Sequence, residues 1–256
     1  MVHVYPKEVN LSIVLLLNPI IVQAQEDEPV QAVVTTDFSN TEMEEQMTNA
    51  DIRYIQTLQN EGFDFNQKDN LGNPPLYYLL TRNPSLDVAK EAIKAGADLN
   101  MAANNGILPL NIATSKANEL QLQIMMMKTM GLNTDDPKIQ EELKKQLFNE
   151  MSKAIEMAKM LIDMGADINL QSSLGTPLMN AVTNIWNAEI VEMLIKAGAD
   201  LNVTDKNGKT ALFYAQASGN DDIVNMLIEN GADTSIKDIE GKTYIDMEKV
   251  NGAPAL

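Results

Sequence analysis

The side chains that most often carry enzyme chemistry are scarce in this chain. The 256-residue sequence has no cysteine, and its only histidine is His3. Without cysteine, disulfides, thiolate metal ligands and cysteine nucleophiles are excluded. If the first two dozen residues are removed, as argued below, Ser-His-Asp catalysis and histidine-bound zinc are excluded as well. We therefore expect no catalytic residue, no metal site and no cofactor, and we predict that the protein is not an enzyme.

Carboxylates and thioethers are the remaining groups that could do chemistry. A carboxylate hydrolase needs two acids at a set separation, and no spacing in the sequence indicates such a pair. Nine of the 16 methionines lie between Met101 and Met164, with a cluster at Met125 to Met127 and Met130. Thioethers can bind copper(I), but they also fill irregular cores and form adaptable surfaces for partner helices. A hydrolase and a copper binder stay as remote alternatives.

A short phrase that reads Gly-Ala-Asp-x-Asn in three of its five copies runs through the chain. The copies begin at five glycines, which are Gly62, Gly96, Gly165, Gly198 and Gly231, and the intervals between them are 34, 69, 33 and 33 residues. A repeat of this period predicts stacked units that bury their apolar faces against one another. Solenoids of this kind bind other macromolecules.

Each unit has the same order of parts. In the last full unit, Asp205 to Thr210 favours a turn, Ala211 to Ala217 a short helix and Gly219-Asn220 a second turn. Ile223 to Ile228 then supplies the apolar face of another helix, which Gly231 ends. The recurring aspartates can bond turn amides, so we interpret them as scaffold residues.

The first half of each unit carries a resemblance to a known family. It reads Asp69 to Leu76, Gly106 to Leu110, Gly175 to Leu178 and Asp205 to Leu212. Together with the glycine phrase, these segments resemble the ankyrin-repeat family over about residues 39–247. The resemblance implies an all-α solenoid of helix-turn-helix units with β-turn fingers. This chain departs from the family pattern at one position, which is usually histidine. In the four units that position holds Tyr77, Asn111, Met179 and Phe213.

The doubled interval predicts an inserted helical hairpin in the third repeat, at about residues 116–151. The apolar residues typical of that unit's second helix, Met157 to Ile162, lie about 35 residues farther along the chain than the repeat period predicts. Asp136-Pro137 is suited to begin the second arm of the hairpin. A stripe of apolar residues four apart is expected along this arm, at Ile139, Leu143, Leu147, Met151 and Ile155.

In the family that the chain resembles, the turn tips and the exposed ends of the first helices line a concave binding face. Carried over position by position, the partner-binding residues are Asn70, Leu71, Asn73, Thr81, Arg82, Asn104, Asn105, Ile107, Ser115, Lys116, Ser173, Leu174, Thr183, Asn184, Lys206, Asn207, Lys209 and Ser218. This set contains four cations and no carboxylate. Four aromatic residues are expected in the core, and an exposed one is a candidate hot spot: Tyr77, Tyr78, Trp186 and Tyr214.

The amino-terminal segment is typical of an export signal. Leu11 to Leu17 is apolar or small throughout, and Val22-Gln23-Ala24 suits a signal peptidase. We expect a cleaved signal peptide at 1–24, a flexible acidic leader at 25–38 and an ankyrin-repeat domain at 39–256. Export places the protein in a periplasm or outside the cell. The net charge of −17 argues against nucleic acid as a partner.

These observations predict a protein-binding scaffold or adaptor that is exported, monomeric and not integrated into a membrane. The alternative is an inhibitor or immunity-type protein that blocks a single enzyme. The sequence does not identify the partner. It also leaves open whether the concave face or the helical insertion is the main binding surface.

Overall fold

The computed structural model describes residues 40–83, 85–116, 137–184 and 187–247. Across these ranges the secondary structure is helical, with one isolated β-bridge between Ser172 and Gly175 and no strand. This confirms the all-α solenoid. The expected signal peptide, the leader and the first arm of the insertion, which falls on residues 117–136, lie outside the described residues.

The helices follow one another in pairs, one pair to a unit. In chain order the elements are α1 (Asn40–Thr48), α2 (Ile52–Asn60), α3 (Pro75–Thr81), α4 (Leu86–Lys94), α5 (helical residues 109–116), α6 (Pro137–Asp163), α7 (Pro177–Ala181), α8 (Ala188–Lys196), α9 (Ala211–Ser218), α10 (Asp221–Glu229) and a final 3-10 turn (Tyr244–Asp246). Odd-numbered helices are the first helices of their units, and even-numbered helices are the second.

The repeated Gly-Ala pair ends each second helix in the same way. Gly96, Gly165, Gly198 and Gly231 have φ between 91° and 111°, which favours glycine. The turn lets the following alanine donate its N–H to the carbonyl five residues back, at 3.0 Å in all four units. This closure satisfies a helix carbonyl that has no partner inside the helix.

The stack is held together by contacts between equivalent helices. First helices pack on first helices, as α1 does on α3 and α7 on α9, and second helices pack on second helices, as α2 does on α4 and α8 on α10. Leucines from successive first helices are at most 2% exposed and form a shared core, namely Leu76, Leu79, Leu110, Leu178 and Leu212. Each unit therefore depends on its neighbours to bury its apolar side.

A ladder of asparagines also joins successive units. Asn66 Oδ1 accepts a hydrogen bond from the Asp98 N–H at 2.8 Å, and Asn100 Oδ1 accepts one from the Asp167 N–H at 2.8 Å. The equivalent asparagines of the next two units bond the following unit at 2.9 and 2.8 Å. In each unit the aspartate's Oδ1 also accepts the N–H two residues on, which confirms its scaffold role.

Helix α6 is three times the length of its equivalents. It runs for 27 residues without interruption, about 40 Å, whereas α4, α8 and α10 have 9 residues each. It begins at Pro137, as expected for the second arm of the insertion, and continues through the unit's own second helix to Asp163. The insertion and the repeat therefore share one helix.

The apolar stripe expected along α6 is partly wrong. Leu143 and Leu147 are buried, but Ile139 is 38% exposed. The buried side continues through Ala154 and Leu161. Because a helix turns 100° per residue, steps of four residues rotate by about 40° each and leave the buried face after two or three steps.

Candidate partner-binding face

Seventeen of the eighteen predicted partner-binding residues are exposed or half-buried. We call the set of finger tips and first-helix ends that they form the finger face. The exposed members are Asn70, Leu71, Arg82, Asn104, Asn105, Ser173, Leu174, Thr183 and Lys206. The half-buried members are Asn73, Thr81, Ile107, Ser115, Lys116, Asn207, Lys209 and Ser218.

Asn184 corrects the prediction. Its side chain is 0% exposed, so a partner cannot contact it, and the expectation that it lies on the surface is wrong. Helix α7 ends at Ala181, three residues earlier, and the chain then turns inward. The transfer of positions from longer first helices placed Asn184 on a helix end that does not exist in this unit.

Two of the fingers are fixed by an aspartate–tyrosine pair. Asp69 Oδ1 accepts the N–H groups of Leu71 and Asn73, both at 2.9 Å, and Asp69 Oδ2 accepts the Tyr78 hydroxyl at 2.6 Å. The Asp69 side chain thus ties the finger to α3. Both residues of the pair are buried, with Asp69 at 7% and Tyr78 at 2% exposure.

The same arrangement recurs three units later. Asp205 Oδ1 accepts the N–H groups of Asn207 and Lys209 at 2.8 Å, and Asp205 Oδ2 accepts the Tyr214 hydroxyl at 2.6 Å. Sequence reasoning missed these pairs and placed both tyrosines in the core. Tyr78 is buried, whereas Tyr77 and Tyr214 are half-buried and Trp186 lies outside the described residues. The signal was an Asp and a Tyr nine positions apart in two units.

These hydrogen bonds change the acidity of the paired groups. Burial, and then the hydrogen bond to Asp69, raises the pKa of Tyr78 to about 12. Burial and the bond to Asp205 raise the pKa of Tyr214 to about 12. Burial alone raises the pKa of Asp205, but the hydrogen bonds from Tyr214, Lys209 and Asn207 outweigh it and lower the pKa. At neutral pH each tyrosine is therefore a hydroxyl donor.

Neighbouring fingers are also bonded to each other. The Asn104 N–H donates to Asn73 Oδ1 at 3.1 Å, and Ser173 Oγ donates to the Asn105 carbonyl at 2.8 Å. The Ile239 N–H donates to the Asn207 carbonyl at 2.9 Å. The fingers form a connected row, and some predicted contact residues serve partly to hold that row together.

A groove of about 220 Å³ opens on the finger face between α3 and α5. Its lining residues are Tyr77, Thr81, Arg82, Ile107, Ile112, Ser115 and Lys116. Five of these seven come from the predicted partner-binding set. The structure therefore brings together residues from the second and third units that were predicted separately, and it adds Tyr77 and Ile112 to them.

The predicted contact residues are rich in cations. The finger face carries Arg82, Lys116, Lys206 and Lys209 and no carboxylate. The repeated aspartates, represented by Asp98, are exposed and lie in the chain between each second helix and the next finger. The acids near the fingers are already engaged, as in the Arg82 Nε to Glu44 Oε1 ion pair at 3.5 Å.

Below the finger face, the interface between α5 and α7 is unusually polar. Asn180 Nδ2 donates to Thr114 Oγ1 at 2.8 Å, and Asn187 Nδ2 donates to the Thr114 carbonyl at 2.9 Å. Asn111 is 0% exposed, and neither Oδ1 nor Nδ2 of its side chain has a hydrogen-bond partner among the residues that the structure describes. Such an orphaned buried amide is uncommon in folded proteins.

Metal binding and membrane insertion are two other properties that the described residues can show. Within the described ranges, no three His, Cys, Asp or Glu side chains come together in a way that could hold a metal ion. None of the helices that can be described combines the length and the apolar character needed to cross a bilayer.

Comparison with known proteins agrees with the geometry. The family model for ankyrin repeats, in three copies, matches residues 150–238, from the middle of α6 to the last finger. A search of curated proteins found no match. The paired helices, the glycine closures and the asparagine ladder continue on the amino-terminal side of the matched span, in the units that contain Gly62 and Gly96. Residues 150–238 thus match the ankyrin-repeat family, and the units before them share the same architecture.

Proposed function

We propose that this protein is a binding scaffold that docks a protein partner on its finger face. The observation that carries the proposal is the groove between α3 and α5, which joins five of the predicted contact residues in one surface. The apolar side chains Leu71 and Leu174 are exposed, at 45% and 43%, on the fingers of the second and fourth units. Exposed aliphatic residues within a polar rim are typical of protein interfaces.

The rigidity of the fingers supports binding without a prior ordering step. Asp69 accepts three hydrogen bonds and Asp205 accepts four, and in each set the tyrosine bond ties the finger to its helix. A preorganised surface avoids part of the entropy cost of association. The proposed role is therefore that of a fixed template, and no reacting group takes part in it.

Variants with matched charge changes test this proposal. The double variant Arg82→Ala/Lys206→Ala removes two cations from the finger face. The control Lys90→Ala/Lys159→Ala removes two exposed cations from second helices. A partner is first captured from the native cell extract, purified and titrated calorimetrically. We expect at least a tenfold weaker Kd for the first variant and a change below twofold for the control. Equal losses, or no loss in the finger-face variant, would overturn the proposal.

We also propose that the scaffold is exported and acts as a monomer. The support is the apolar segment Leu11 to Leu17 and the cleavage site at Val22-Gln23-Ala24. Mass measurement of the protein purified from its own cells tests export, because cleavage after Ala24 leaves Gln25 first. An intact Met1 contradicts it. Light scattering during gel filtration tests the monomer, and a mass of twice that of the processed chain or more contradicts that part.

A further inference from the structure

We propose that the groove between α3 and α5 binds an acidic segment of a partner protein, with a carboxylate held between Arg82 and Lys116. The inference rests on the proposed function, because it assigns a chemical class to what the finger face binds. Both cations line the groove, and none of the described residues that line it is a carboxylate.

The charged donors of the groove are its two cations. Thr81 Oγ1 donates to the Tyr77 carbonyl at 2.7 Å, and Ser115 Oγ donates to the Ile112 carbonyl at 3.2 Å. Both hydroxyl hydrogens are therefore engaged by the backbone of their own helices. A ligand anion takes its charge-assisted hydrogen bonds from Arg82 and Lys116, and the Tyr77 hydroxyl is a neutral donor on the same lining.

Both cations have N–H donors that the ion pairs among the described residues do not use. The ion pair between Arg82 and Glu44 uses Nε at 3.5 Å, and the Arg82 side chain is 61% exposed. A guanidinium has five N–H donors and commonly takes a carboxylate through two of them. None of the ion pairs among the described residues involves Lys116. Salt screens charges beyond about 8 Å, so acids farther away than that act only weakly on this pair.

The rest of the groove favours a peptide over a small free anion. Ile107, Ile112 and the Tyr77 ring provide an apolar wall beside the cations. At about 220 Å³ the groove is smaller than the 300–1,000 Å³ typical of small-molecule pockets, and its mouth is open to the finger face. It suits an acidic side chain and an adjacent aliphatic one that belong to a longer segment.

Amide spectra of the ¹⁵N-labelled full-length chain test the inference with defined probes. The probes are an end-blocked octapeptide of alternating leucine and glutamate, its glutamine counterpart, and free glutarate. We expect the leucine–glutamate peptide to shift the amides of Thr81, Ile107 and Ser115, with at least tenfold higher affinity than the other two probes. Arg82→Gln/Lys116→Gln should reduce that affinity at least tenfold, and Lys90→Gln/Lys159→Gln should leave it within twofold.

The outcomes separate this inference from the proposed function. Equal binding of the glutamine peptide, or glutarate binding as tightly as the acidic peptide, overturns the acidic segment. Shifts outside the groove also overturn it, as does their absence. The proposed function still stands in those cases if the finger-face variants lose the native partner. Preserved spectral dispersion in the variants excludes unfolding as the cause of lost binding.

Discussion

At residue 111 the core contains an amide that has no hydrogen-bond partner among the described residues. Asn111 is fully buried, and it occupies the position where the ankyrin family usually has histidine. Leaving a buried polar group unsatisfied costs roughly 1–3 kcal/mol. The surrounding bonds, including Asn180 Nδ2 to the Asn111 carbonyl at 3.3 Å, involve its backbone and not its side chain.

We therefore expect Asn111→Leu to raise the free energy of unfolding by about 1–2 kcal/mol, because it removes the unsatisfied amide at similar volume. Urea denaturation of the variant and the parent measures the change. Asn180→Leu is the matched control, since Asn180 makes two hydrogen bonds. It should lower stability by about 1–3 kcal/mol. Destabilisation by both substitutions would show that residue 111 is satisfied in solution.

The hydroxyl of Tyr78 links stability to alkaline pH. Burial and the hydrogen bond to Asp69 raise its pKa in the folded state to about 12, above the ordinary value of 10.0. A group with a raised folded pKa contributes stability that is fully present below the unfolded pKa and is lost as pH rises through the folded one. The contribution of Tyr78 should therefore be constant below pH 10 and decline between about 10 and 12.

We expect Tyr78→Phe to be destabilised by about 1–3 kcal/mol at neutral pH, because Asp69 loses a partner in a buried setting. Denaturation at neutral pH measures the loss. The difference in 295 nm absorbance between the parent and the variant should show a phenol that ionises near pH 12. A midpoint near 10 would contradict the Tyr78–Asp69 bond.

At the scale of the elements, the asparagine ladder spans the insertion without a break. Asn100 and Asp167 are 67 positions apart, yet their bond of 2.8 Å matches those between units 31 and 32 positions apart. The stack on both sides of the insertion therefore keeps the same geometry. From Pro137 onward the additional residues extend α6, and the units keep their spacing.

Removing the insertion should leave a folded stack. Deleting residues 120–154 shortens the interval from Gly96 to Gly165 from 69 residues to 34, the length of the first interval. Leu143 and Leu147 are lost with it, and they are buried. We expect cooperative unfolding with a loss of about 2 kcal/mol, or about 4–8 °C in Tm. Circular dichroism measures both, and loss of helical signal at 25 °C would show that the insertion is part of the core.

The repeat phrase and its physical roles could be predicted from the sequence because they are local. The glycine closure and the aspartate turn involve residues within five positions of each other. The ladder and the groove depend on how units stack, so a single unit does not display them. The Asp69–Tyr78 pair lies within one unit, but it joins a finger to its helix across nine positions. The burial of Asn184 was missed because α7 has 5 residues and ends early. The rotation of the buried face along α6 was missed because the predicted stripe was built from residues spaced four apart.

For the whole molecule, the central feature is that the finger face differs in charge from the chain as a whole. A chain with a net charge of −17 presents four cations and no acid on its finger face. The repeated aspartates serve the scaffold, while the residues that differ between units line the groove. This arrangement lets a strongly acidic protein attract an acidic segment at one place.

The most direct test is site-specific photo-crosslinking to the native partner. A benzophenone amino acid is placed at Leu174 on the finger face, and in a second variant at Glu192 on α8. The two sites have similar exposure, with Leu174 at 43% and the Glu192 side chain at 53%. We predict a discrete adduct from position 174 and none from position 192. An adduct from position 192 alone would place the binding surface on the second helices and contradict the account.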